Sequence, residues 1–228
     1  MTHPATITTE DTRILVVTAV DAEREAVLRG LSQAGSTRFE VIAGGVGPAA
    51  VAARTAALLA TAGHHYQLVI SAGIAGGFPE RAEIGSLVIA DTIVSADLGA
   101  ETPDGFLSID ELGFGSSRID SHAVWNKRLA AQLADAGLAC TLAPILTVSS
   151  ATGTAATAAL RERLVPGAAA EGMEGFGVAT AAAQQGIPVT ELRAISNAVG
   201  PRDRSTWQIG QALKSLESAF AAFASITP

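Results

Sequence analysis

RILVVTAV, residues 13–20, with Asp21 directly behind it, is the stretch on which the fold turns. It is an apolar, β-branched run of strand length, and Asp21 can open a helix that the pattern carries to about Leu31. The arrangement then recurs. FEVIA, residues 39–43, predicts a second short strand ending at Gly44-Gly45-Val46-Gly47, and Pro48 suits the first turn of a helix reaching about Thr61, with Val51, Leu58 and Leu59 among its apolar positions. A third apolar strand, 68–71, enters a glycine turn from Ala72 to Gly77. Residues 87–95 are strand-like, and the glycine- and acid-rich stretch 96–117 is expected to be a long irregular loop of the functional kind. Further on, the pattern predicts helices at 121–136, 155–163, 176–185 and 205–224 and strands at 141–148 and 189–196. Strands alternating with helices predict an α/β chain. The expectation is a single three-layer α/β/α domain over residues 1–228, with a central mixed, mostly parallel sheet and residues 1–12 as a flexible N-terminal extension.

Composition narrows the function. Hydrophobic residues make up 48% of the 228 and charged ones 16%, enough for a large core. Aromatics are only 4%, so the alanine-rich helices should pack closely through small side chains. The balance of 15 basic against 22 acidic residues, net −7, argues against a nucleic-acid partner, which needs a basic face. Lys127 and Lys214 are the only lysines, and neither sits in a Gly-Lys-Ser/Thr phosphate loop. Cys140 is the only cysteine, which excludes an intrachain disulfide or a cysteine zinc site and fits a reducing compartment. His3, His64, His65 and His122 lack ligand spacing, so neither metal nor cofactor is expected. The polar N-terminus, with Glu10 and Asp11, does not read as a signal peptide. The charge-free stretches 55–78 and 137–160 are broken by turn formers and polar residues, so no membrane partner is expected. The chain reads as soluble and cytoplasmic.

Several segments could carry chemistry. Gly45-Val46-Gly47-Pro48-Ala49-Ala50 loosely matches a dinucleotide loop, but no acidic residue follows about twenty positions on, and a tight strand-to-helix turn needs the same glycines. The glycines from Ala72 to Phe78 would let a ligand approach the backbone at the carboxyl edge of a parallel sheet, or simply make a turn. Glu23, Glu171, Glu174 and Asn197 stand at strand ends or loop exits. Taken singly each reads as a helix cap or a solvated side chain; together they converge on one sheet edge.

Met173-Glu174-Gly175, Arg193-Ala194-Ile195-Ser196-Asn197 and Gly73-Ile74-Ala75-Gly76-Gly77 resemble the purine nucleoside phosphorylase/nucleosidase superfamily, with the methylthioadenosine/S-adenosylhomocysteine nucleosidases similar in length and strand order. A narrower set looks like the futalosine hydrolases: residues 96–101 (ADLGAE), Asp104-Gly105-Phe106, residues 173–179 (MEGFGVA), and residues 197–204 (NAVGPRDR) with Trp207. The resemblance runs from about Arg13 to Leu216. It implies a nucleosidase that releases hypoxanthine and dehypoxanthinyl futalosine from futalosine and water, on the futalosine route of menaquinone biosynthesis.

Such a reaction passes through an oxocarbenium-like sugar and needs a base for the water, a grip on the ribose and a donor to the departing purine. By resemblance, Glu23 is the water-activating carboxylate and Glu174 accepts from the ribose hydroxyls. Met173 packs against the sugar, unless it is a core methionine. Ala75, Gly76 and Thr152 are further substrate-binding positions. Asn197 stands where methylthioadenosine nucleosidases carry Asp; an amide donates hydrogen bonds but no proton, which fits a 6-oxopurine without excluding adenine. Trp207 would stack on the 5′ substituent, and Arg202 and Arg204 are candidates for its carboxylate; Arg204 could equally pair with Asp203 or lie in the last helix. The competing activities are a methylthioadenosine-type nucleosidase and a phosphate-dependent phosphorylase, the latter disfavoured by Asp21 and Glu23 and kept open by Arg24. A nucleoside-binding module without catalysis is the reading from another class. Relatives of this type pair so that a loop closes the neighbouring site, which makes a homodimer or larger homo-oligomer the expectation and 96–117 the candidate loop.

Overall fold

β1 (Arg13–Thr18) sends Ile14 and Val16 to one face and Leu15 and Val17 to the other, and all four are at most 1% exposed. A strand buried on both sides belongs in the middle of a sheet covered by helices on each face. The structure, a computed structural model, describes residues 13–33, 35–62 and 65–226. The expected N-terminal extension, His3 and His64 lie outside the described residues.

β2 (Phe39–Ala43) and β3 (Tyr66–Gly77) flank β1 in parallel. β3 continues into β10 (Val189–Ala198), also parallel, and β10 meets β4 (Leu87–Ser95) antiparallel. β4 pairs in parallel with β8 (Cys140–Thr147), and β8 with β9 (Ala170–Gly172). β9 then returns antiparallel to the end of β3, through Gly76↔Glu171 and Gly77↔Ala170. The mixed, mostly parallel sheet thus curls and closes on itself at the carboxyl end of β3. One face carries α1 (Asp21–Gln33), α3 (Ala123–Asp135) and α6 (Ile209–Phe223), whose Val27, Leu129 and Phe220 pack on Ile14, Ile70 and Leu192. The other carries α2 (Pro48–Ala62) and α5 (Gly175–Gln184), with Val51 and Val178 against Val17 and Val69. α4 (Ala155–Leu164) covers a third apolar cluster around Phe78 and Val148.

Three expectations need correction. The supposed glycine turn from Ala72 to Gly77 is strand: β3 runs straight through it, paired with β10 to Gly77. Its glycines make room for neighbouring groups; an added Cβ at Gly76 would come within 2.9 Å of Val199 Cγ2. The stretch 96–117 is not irregular throughout, since β5 (Gly99–Thr102) and β6 (Gly105–Ser108) form a hairpin, followed by β7 (Arg118–Asp120) on the edge of β4. The last helix starts at Ile209; Arg204–Thr206 is a separate 3₁₀ turn whose backbone Asp203 caps by accepting from Ser205 N at 3.0 Å.

The expected small-residue packing is present in both helical layers. A methyl at Gly30 of α1 would overlap the Glu217 carbonyl oxygen of α6, and one at Gly177 of α5 would overlap the Pro48 carbonyl oxygen of α2. Backbone cannot swing away as a flexible side chain does. Gly30→Ala should therefore lower stability by about 1–3 kcal/mol through overpacking. Gly210→Ala, in the first turn of α6 with nothing within 4 Å of the new methyl, is the control. It should be neutral or stabilising by up to about 1 kcal/mol. Chemical denaturation of both variants beside the unmodified protein checks the contrast.

Candidate active site

A cavity of about 420 Å³ opens where the ends of β1, β3, β9 and β10 meet. Glu23, Ala75, Gly76, Thr152, Met173, Glu174, Asn197, Arg202 and Trp207 all line it. Arg204, the remaining candidate, does not: its guanidinium lies 5.8 Å from the centre of the Trp207 ring, outside the lining. Met173 is half-buried and faces the cavity, so it is not a core methionine. Trp207 is half-buried too and precedes the last helix instead of packing inside it.

Glu23 occupies the third position of α1 and reaches back over the helix start, where Oε2 accepts from Ala19 N at 2.9 Å and Val20 N at 3.3 Å. That is the carboxylate half of a capping box. Its other oxygen accepts from Ile74 N at 2.9 Å. Burial lifts the Glu23 carboxyl above its ordinary value, against the opposing pull of the nearby Arg193 guanidinium and the Ile74 and Ala19 amides.

Arg193 heads the motif that ends at Asn197 but is not among the expected site residues. It is 1% exposed, inside β10, and its Nε donates to Glu191 Oε1 at 2.7 Å while Nη1 donates to Glu174 Oε2 at 3.2 Å. Burial works against the guanidinium charge, but Glu191, Glu174 and Glu23 outweigh it and raise its pKa. Glu191 is fully enclosed, and burial pushes its carboxyl up despite Arg193. Glu174, at the mouth of α5, also accepts from Gly47 N at 3.2 Å, so the Gly45-Val46-Gly47 loop holds a carboxylate here. Three glycines clear space for this cluster. A Cβ at Gly73 would lie 2.6 Å from Glu23 Oε1 and 2.8 Å from Arg193 Nη1; one at Gly172 would lie 3.0 Å from Arg193 Cζ; one at Gly175 would overlap the Glu191 carboxyl. A charged pair two residues apart in an apolar strand, Glu191 and Arg193, was the available signal.

At the other end of the cavity a bulge at Ser196 interrupts the β10–β3 register and brings Asn197 opposite Gly76. The Ser196 hydroxyl donates to Asn197 Oδ1 at 2.8 Å and the amide nitrogen donates to the Ala198 carbonyl oxygen at 3.0 Å, which leaves one N–H beside Gly76. Glu171 of β9 accepts from Thr152 N at 2.7 Å and Thr152 Oγ1 at 2.6 Å. Arg202 lies 5.3 Å from the Trp207 ring centre, a cation beside an aromatic face. Among the described residues no group of three or more His, Cys, Asp and Glu is placed to hold a metal ion. The cavity thus offers a buried carboxyl, a second carboxylate, an amide donor and an aromatic–guanidinium pair.

The chain matches the family model of the Phosphorylase superfamily over residues 25–227. It is 49% identical to a futalosine hydrolase of Streptomyces coelicolor, over 93% of this chain and 95% of that one. The solved structure of a futalosine hydrolase from Helicobacter pylori shares its fold with a TM-score of 0.79 at 16% identity, covering 94% of this chain and 98% of that one. A 5′-methylthioadenosine/S-adenosylhomocysteine nucleosidase from Neisseria meningitidis, solved with methylthio-immucillin-A, gives 0.77 at 16% identity over 94% and 100%.

The Gly73 contacts make the cluster testable. In Gly73→Ala the new methyl must displace the Glu23 and Arg193 side chains, while β3 can keep its strand geometry. Nucleoside turnover should fall by about 10²-fold, the cost of an ångström-scale misplacement, with the circular dichroism spectrum retained. Steady-state kinetics and the far-ultraviolet spectrum measure the two parts.

Proposed function

The chain belongs to the phosphorylase superfamily and, within it, to the futalosine hydrolases, and we propose that it cleaves futalosine with water to hypoxanthine and dehypoxanthinyl futalosine, a step of the futalosine route of menaquinone biosynthesis. In this reading the C1′–N9 bond breaks, the purine departs with the electron pair, and the water oxygen joins C1′ from the opposite side. Glu23 takes the proton from that water. Glu174 accepts from the ribose hydroxyls, and that bond strengthens as positive charge develops on the sugar. Asn197 donates to N7 or O6 of the leaving base, which then gains its proton from solvent. Met173 packs on the sugar, Ala75 and Gly76 floor the cavity, and Trp207 with Arg202 receives the carboxyphenyl group at the 5′ end.

The observation that carries hydrolysis over phosphorolysis is the commitment of the nearby cations. Arg193 is bonded to Glu191 and Glu174, and Arg24 pairs with Asp21 at 3.2 Å, so both guanidiniums face carboxylates. An oxyanion beside Glu23 would meet negative charge. The protein acts as one nucleosidase domain in the cytoplasm and as a homo-oligomer. In that assembly the 96–117 segment, with Phe114 81% exposed and Leu98 and Leu107 also outward, covers the site of a second copy. Analytical ultracentrifugation reads the oligomeric state directly.

In phosphate-free buffer the protein should release hypoxanthine from futalosine, and Glu23→Gln should lower turnover by about two to four orders of magnitude while leaving substrate binding intact. Release only on addition of phosphate would make it a phosphorylase; binding without release would make it a binding module. Because Glu23 must be ionised to accept a proton, kcat/KM should fall on the acid side. The limb should centre above 4.5, the ordinary carboxyl value, since burial raises Glu23.

Trp207→Ala should cost futalosine about 1–3 kcal/mol in kcat/KM, the worth of stacking plus buried area, and inosine much less. The ratio of the two specificity constants is the readout, and an equal loss on both would take Trp207 out of 5′ recognition.

A further inference from the structure

Glu171 lines the cavity, yet the mechanism above gives it no task. It is 7% exposed, and one carboxylate oxygen accepts from Thr152 N while the other accepts from Thr152 Oγ1. A carboxylate offers about four lone-pair directions, so two donors leave acceptor capacity facing the cavity. Its placement follows from the sheet. Gly76 is paired on one edge with Asn197 of β10 and on the other with Glu171 of β9. Residues in one register row direct their side chains to the same face. The two polar groups therefore stand on either side of a bare glycine, their Cα atoms roughly 10 Å apart or less across two strand spacings. Val199 Cγ2 and Asn197 Nδ2 fill the volume a Gly76 side chain would take, and Gly76, Val199, Asn197 and Glu171 together line the cavity wall against which a flat bicyclic base would lie.

The chemistry of the two groups is complementary to one type of purine. Ser196 occupies Asn197 Oδ1 and one amide N–H donates to the Ala198 carbonyl oxygen at 3.0 Å, so the second N–H is the donor left for O6 or N7. Glu171 can only accept when ionised, so it suits a ring N–H. Hypoxanthine carries that hydrogen at N1 beside its O6 acceptor, whereas adenine has a bare N1 lone pair beside an amino group. We infer that Glu171 reads the N1–H of the leaving base and, with Asn197 on the opposite side of Gly76, selects 6-oxopurine over 6-aminopurine nucleosides. Glu171 is a specificity residue in this scheme, and the inference rests on the nucleosidase reading above. It supplies what Asn197 alone cannot, because an amide can also pair with adenine.

The test compares futalosine with its 6-amino analogue on the unmodified protein and on Glu171→Gln, whose side-chain amide can donate to a bare N1. The ratio of kcat/KM for futalosine over the 6-amino analogue should fall by at least about 100-fold in the variant, within the range by which polar sites reject a mismatched partner. If Glu171 serves only to hold the Thr152 loop, both substrates lose rate in equal proportion and the inference is overturned. Should Glu171→Gln fail to fold, futalosine methylated at N1 puts the same question to the unmodified protein. It should be cleaved at least about 100-fold less efficiently than futalosine, and equal cleavage overturns the inference. An unmodified protein that cleaves neither futalosine nor its 6-amino analogue would instead overturn the hydrolase reading and this inference with it.

Discussion

A guanidinium sealed inside an α/β sheet organises this molecule. An unpaired cation at the depth of Arg193 would be strongly unfavourable, and removing one partner of such a buried pair costs about 3–5 kcal/mol. Arg193 is tolerable because Glu191 and Glu174 meet it at hydrogen-bonding distance and Glu23 adds its field. Each partner belongs to a different element: Glu191 to β10 itself, Glu174 to the start of α5 and Glu23 to the first turn of α1. One cation therefore registers two helices against the sheet, and through Gly47 N on Glu174 it also fixes the loop before α2. The same contacts set the protonation chemistry of the site, since the burial that raises Glu23 is offset first by Arg193.

How the sheet closes decides what the cavity can recognise. Were β9 absent, the edge of β3 near Gly76 would be open and Glu171 would have no fixed place. Its three residues bridge β8 and β3 and turn an open α/β sheet into a cup. The bulge at Ser196 completes the arrangement by changing which β10 side chain stands beside Gly76. In the proposed reaction cleavage falls to the Arg193 end and base choice to the Gly76 end, so separate residues would carry them.

Much of this was legible in the sequence. Strands such as residues 39–43 and 87–95 announce themselves as apolar runs bounded by turn formers, and they occur with those bounds. The run from Ala72 to Gly77 misled because glycine marks both a turn and a close approach, and only the tertiary neighbours tell which. β9 was missed because three residues show no period, and the β5–β6 hairpin because its alternating half-buried side chains are few and partly polar. Trp207 lines the cavity, while Arg204 sits in an exposed 3₁₀ turn outside the lining, a displacement that spacing alone does not show. Glu191 stayed hidden because the apolar strand around it reads as core, although its two-residue spacing from Arg193 was there to be read.

The room left around Arg193 also bears on how such a sequence can diverge. Position 175 can gain a side chain only after the carboxyl at 191 has been shortened or lost, because the two would share one volume. The opposite order passes through a clashing intermediate. Position 73 is tied in the same way to both 23 and 193. Mutational paths through this region are therefore ordered, and the acceptability of a substitution at one of these glycines depends on the genetic background at a site more than a dozen residues away. Drift should be slow and correlated here, while Gly210, with no neighbour to consult, is free to vary alone.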